Sequence, residues 1–151
     1  MRIRLRTGLV RSALPILALI AIASCYSSSY RKGLAANVAL ISDLTDKLTD
    51  YCRSGFMLNG RAVSSEEMGE FYYALKKARS FGAMNESLSD QPSYKTFQRL
   101  LDSYQGFVQA ADQFRLNAKP DPPALEALMG REREVKELAR QTLDALHAES
   151  R

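Results

Sequence analysis

Beyond residue 33 the apolar residues recur every three or four positions, the rhythm of helices with one buried face and not of strands. Leu34, Val38, Ile41, Leu44, Leu48 and Cys52 form a first stripe, and Gly55 follows as a left-handed helix stop. "FMLNGRAV" is a connector with an Asn-Gly turn. In Ser64-Ser65-Glu66-Glu67, Ser64 can cap the amide three residues on while Glu67 reaches back, with Val63 and Met68 placed as a hydrophobic staple. The helix so started carries Met68, Phe71, Tyr72 and Leu75 on one side and is expected to end near Gly82. After "NESLSDQPS", where Asp90 and Pro92 suit a first turn, Tyr94, Phe97, Leu101, Tyr104, Val108 and Ala111 form the third stripe. "NAKPDPP" breaks the chain once more. Asp121 and Pro122 open a fourth helix that presents Leu125, Leu128, Val135, Ala139, Thr142 and Leu146. No segment alternates convincingly enough to predict a strand.

Four amphipathic helices with short connections predict an all-α fold, an antiparallel up-down four-helix bundle over residues 34–149. A three-helix bundle with a loosely docked fourth helix is the alternative. The third helix has a wider apolar arc than one seam requires, because Leu100, Phe107 and Phe114 follow at heptad spacing beside the main stripe. That second line is either buried between two neighbouring helices or exposed as an apolar ridge. An exposed ridge would be the face offered to a partner.

Ahead of the helical part the pattern changes. Ala13 to Ala23 is an apolar run of 11 residues, too short for the roughly 20 that a membrane-crossing helix needs. Arg2, Arg4, Arg6 and Arg11 precede or flank it without an acidic residue, and small residues follow, the order of a secretory signal. Ile22-Ala23-Ser24-Cys25 resembles the lipobox of bacterial lipoproteins, in which an aliphatic and two small residues precede a cysteine that is lipidated and becomes the mature N-terminus. The resemblance covers residues 1–25 and implies a leader at 1–24, an anchor at Cys25 acylated with chains such as palmitate, and membrane attachment of the mature protein. Two or three acyl chains hold firmly, each buried methylene contributing about 0.8 kcal/mol. In the family's sorting rule for enteric bacteria, Tyr26 is not the Asp that causes inner-membrane retention, so the outer membrane, on its periplasmic side, is the implied address. "YSSSYRKG" then reads as a flexible tether within residues 25–33.

Composition changes meaning once the leader is set aside. The full chain has 21 basic and 17 acidic residues, and the four arginines of residues 1–24 account for the whole excess. The mature chain is near neutral, so the basic balance of the precursor gives no support for nucleic-acid binding. Its 127 residues suffice for one domain.

Chemistry-bearing residues are sparse. Cys52 would be the one free thiol after acylation of Cys25, and its place on the first stripe reads as a small buried residue. His147, the single histidine, falls where an imidazolium sits well against a helix C-terminus. The expected shape resembles that of periplasmic four-helix cytochromes, but the first helix has no Met and the chain has no Cys-x-x-Cys-His, so no haem is expected. A di-iron site needs two Glu-x-x-His motifs, and one histidine cannot provide them. No metal or other cofactor is expected, nor an enzyme.

Glu132 is the charge that interrupts the fourth stripe, and a buried carboxylate must be paired, protonated or wet. Tyr104 is its expected partner across an antiparallel pair, with Arg115 more distant. Tyr72, Tyr104 and Glu132 together would make a polar site in the core. These readings leave a non-catalytic envelope component that binds another protein, with a small-ligand or cofactor carrier as the alternative.

Overall fold

The computed structural model describes residues 10–117 and 121–149, with side chains from residue 28 onward. Arg2, Arg4 and Arg6, the side chains of the Ile22–Cys25 stretch, and Ala118–Pro120 of the last connector lie outside the described residues. The chain divides into two compact units, Met1–Gly33 and Leu34–Arg151. Four helices dominate: α1, Val10–Arg53; α2, Ser65–Met84; α3, Pro92–Leu116; and α4, Pro122–Ala148. In the first unit, residues 26–33 are helical and Tyr30 is buried, where composition alone suggests a flexible segment. The segment holds no Pro, and a single glycine, Gly33, costs about 1 kcal/mol relative to Ala, too little to end a helix that continues into Leu-Ala-Ala.

The second unit is the antiparallel up-down four-helix bundle that the periodicity predicts. Side-chain bonds set the order of helices around it. Lys47 of α1 meets Glu70 of α2 at 2.5 Å, and Arg79 of α2 meets Asp102 of α3 at 2.8 Å. Glu149, just past α4, bonds Ser93 at the start of α3, and Lys136 of α4 returns to Asp46 of α1 at 2.6 Å. Each helix therefore has two neighbours. The fourth helix is not loosely docked, since α3 and α4 form the most extensive helix contact.

All six residues of the first stripe are buried. Phe71, Phe97, Tyr104 and Phe107 fill the middle of the core. Leu100, Phe107 and Phe114 do not form an exposed ridge: the first two are completely buried and Phe114 nearly so. The partner-face expectation is corrected by packing. α3 lies between α2 and α4, so its broad arc is covered on both sides, and the ring of Phe56 stands 6.3 Å from that of Phe114.

Local signals decide the helix ends unevenly. At α2 the capping box is complete: Ser64 Oγ accepts from the Glu67 amide at 3.1 Å, and Glu67 accepts from the Ser64 amide at 2.8 Å. α2 runs past Gly82 to Met84. Gly82 is a packing position, where a Cβ would lie 2.6 Å from Nε2 of Gln98. Gln91, not Asp90, occupies the N-cap of α3 and makes no side-chain cap bond. The Glu149 carboxylate supplies that cap from across the fold, accepting from the amide and the hydroxyl of Ser93 at 2.7 Å each.

Candidate functional site

The connector between α1 and α2 is a small β-hairpin, an element that the alternation did not predict. Gly55 and Phe56 both take left-handed conformations, with φ of +63° and +59°. The Phe56 amide donates to the carbonyl of Tyr51 at 2.6 Å. Left-handed backbone costs an aromatic residue about 1–2 kcal/mol. Burial of the ring, which packs 6.4 Å from Tyr51 and near Phe114, offsets that cost. β1 (Met57–Leu58) then pairs antiparallel with β2 (Arg61–Ala62), with Met57 opposite Ala62 and Leu58 opposite Arg61. Asn59 and Gly60 close the turn with φ of 51° and 80°, as a two-residue hairpin loop requires.

Because Phe56 turns inward, Met57 turns outward and is 49% exposed. It borders an open groove of about 600 Å³ lined also by Tyr51 and Leu58 and by the charged Lys47, Asp50 and Glu67. Two of those charges are already engaged. Arg61 grips Glu67 through two hydrogen bonds of 2.7 and 2.8 Å. Together with the Ser64 amide, Arg61 holds the Glu67 carboxyl down at about 2. Lys47 is bound to Glu70, which raises its pKa, and its ammonium stands 5.9 Å from the centre of the Tyr51 ring. Asp50 is held only loosely, by Arg53 at 4.0 Å, with both side chains largely exposed.

The core residues singled out in the sequence are not brought together. Tyr104 is fully buried, and its hydroxyl makes no hydrogen bond to any described residue. Burial, and then the charge of Glu70, push its pKa up. Glu132 is buried but faces α1, not α3. It pairs with Lys136 at 2.7 Å, one helical turn on, and Lys136 joins it to Asp46. Both carboxylates raise the pKa of Lys136, the hydrogen bond to Asp46 being the largest single cause. The expected Tyr104–Glu132 bond is thus replaced by an α4–α1 bridge, and Arg115 pairs with Asp112 at 2.9 Å. Tyr72 lies on the surface, where burial of part of its ring and the nearby Asp112 raise its pKa.

Cys52 is a free, buried thiol whose pKa is pushed up to about 12 by burial. The hydroxyls of the buried Thr45, Thr49 and Thr142 each donate to the carbonyl four residues back, so they need no partner elsewhere. His147 stands exposed in the last turn of α4. Among the described residues no group of three or more His, Cys, Asp or Glu is placed to hold a metal ion. Among them, too, no helix is long and apolar enough to cross a membrane.

The sequence reading had the Asn59-Gly60 turn, but the strand pairing around it and the outward Met57 escaped it. The signal for the pairing is present, since Gly55 and Asn59-Gly60 bracket the three apolar residues Phe56-Met57-Leu58, the pattern of a short hairpin arm. Comparison with protein-family models, with curated proteins and with solved structures finds no match to this chain.

Proposed function

We propose that the protein is a lipid-anchored component of a bacterial cell envelope, held through Cys25 at the outer membrane on its periplasmic side, and that its bundle binds another protein without catalysing a reaction. The anchor half of this reading rests on the leader and on the Ile22–Cys25 motif. One observation carries the binding half: the two left-handed residues that bury Phe56 hold Met57 out over an apolar groove at one end of the bundle. An exposed apolar side chain held by a short, bonded turn loses little entropy on binding, which favours recognition. The loosely held Asp50 suits a partner segment that offers an apolar side chain beside a cation.

The carrier alternative keeps one supporting observation, the unpartnered hydroxyl of Tyr104. It would need Tyr72, Tyr104 and Glu132 on one cavity wall, and these stand in three separate settings. Two experiments test the proposal. Cys25→Ser moves the protein out of the membrane fraction; retention after a high-salt wash would remove the anchor. Affinity purification of the natively acylated protein recovers a protein partner that Met57→Ser no longer holds; recovery of a tightly bound small molecule and no protein would favour the carrier.

A further inference from the structure

Seven of the thirteen described cations of the bundle stand in ion pairs, and one face gathers four that do not. From Phe71 to Met84 α2 has no acidic residue, and it exposes Lys76 and Lys77. α3 runs beside this stretch, since Arg79 bonds Asp102 and Gln105 and the Gln98 side chain lies against Gly82. It adds the exposed Lys95 and Arg99. None of Lys76, Lys77, Lys95 and Arg99 makes an ion pair with a described residue. Of the acids near the face, Asp102 is neutralised by Arg79 and Glu70, one turn before Tyr73, by Lys47; Glu66 lies one turn further back, and Glu86 and Asp90 lie beyond the face in the connector. The same face shows two of the most exposed large side chains of the bundle, Tyr73 at 70% and Met84 at 74%.

We infer that this face is a membrane-contact surface that lies against anionic lipid headgroups. An exposed Tyr and Met among lysines have the make-up of an interfacial anchor: the apolar parts enter the headgroup region while the ammonium groups stay at its surface. Position supports the same occupant. The contacts of Tyr51 with Phe71 and of Lys47 with Glu70 mark the hairpin end of α1 and α2. At 1.5 Å per residue, Leu34 lies about 26 Å from that level along α1, and Met84 about 20 Å along α2. Both therefore lie toward the end opposite the hairpin. Cys25 precedes Leu34 by nine positions, a span of about 14 Å as helix and about 30 Å when extended. This inference rests on the lipid anchor, which would bring the Met84 end of the face within reach of a bilayer, while Tyr73, two residues from Phe71, lies toward the hairpin.

Oxidation of Met84 by dilute peroxide, read by mass spectrometry against Met57 as an internal reference, tests the inference on the natively acylated full chain. The protein is bound to phosphatidylcholine vesicles, or to vesicles in which a third of the lipid is phosphatidylglycerol. Met84 is expected to oxidise at least fivefold more slowly, relative to Met57, on the anionic vesicles alone, and the protection is expected to vanish at high salt. Each lysine near an anionic surface contributes about fivefold in partitioning, so Lys76→Glu with Lys77→Glu should weaken this contact at least roughly 25-fold. An unchanged Met84-to-Met57 ratio in protein that sediments with both vesicle types would overturn the membrane face and leave the anchor standing, as would protection independent of lipid charge. Failure to sediment with neutral vesicles would remove the anchor. In that case charge-dependent sedimentation with anionic vesicles, lost in the double variant, would sustain the face, and sedimentation with neither would overturn it. Protection of Met84 in envelope extracts but not on anionic vesicles would assign the face to an acidic protein and overturn the inference.

Discussion

The second apolar line of α3 and the hairpin tip are built from similar side chains and meet opposite fates. Leu100, Phe107 and Phe114 are covered from two sides, whereas Met57 stands half in solvent beside the buried Phe56. The difference lies in the backbone that carries them. A straight helix between two neighbours has apolar surface on either side of it, so a wide arc is absorbed into the core. The tip turns through two left-handed residues, and adjacent side chains are sent in opposite directions. Apolar character alone therefore does not mark a binding face, and the local turn decides which residue is offered to a partner.

Substitution at the core line should give the largest effect. Phe107→Ala is expected to cost roughly 3–5 kcal/mol, read as a shift in the denaturation midpoint, because it empties a fully buried position. A variant that melted like the parent would return Phe107 to the surface and dissolve the contrast with Met57. At the foot of the tip, Ser64→Ala should cost about 1 kcal/mol by removing one half of a capping box that also positions Glu67 for Arg61. An unchanged midpoint there would mean that the Arg61–Glu67 pair holds the start of α2 without the cap.

A change of opposite sign is expected deeper in the core. Tyr104→Phe removes a hydroxyl that makes no hydrogen bond to a described residue, and should leave stability unchanged or raise it by about 1 kcal/mol. Destabilisation would reveal a partner for that hydroxyl, such as a trapped water, and would revive the polar core as a site. The smallest effect on stability belongs to the tip itself. Met57→Ser should stay within about 0.5 kcal/mol of the parent while weakening partner capture. Loss of stability with capture intact would make Met57 part of the packing and sink the tip as a binding face.

Much of this fold could be read from residue spacing. Stripes at steps of three and four placed four helices and named most of the buried side chains, though not Tyr51, Phe56, Ala74, Ala78 or Leu138. Ser64 and Glu67 located the start of α2 because a capping box is satisfied within four residues. The lipobox-like motif and the near-neutral charge of the chain beyond it are likewise properties of sequence alone. Side chains whose role depends on a neighbouring helix could not be read in this way. Glu132 interrupts the stripe of α4, but whether it meets Tyr104 or an α1 bridge depends on the rotation of α4 about its axis. Helical periodicity reports that rotation only to within the width of an apolar arc. Glu149 caps α3 through Ser93, 56 positions earlier in the chain, a pairing that no local rule can anticipate. The contrast between Phe107 and Met57 belongs to the same class. Short-range hydrogen bonds and periodic burial are written into neighbouring residues, while the covering of a broad apolar face depends on which other helices lie beside it, and that is settled only when the chain packs.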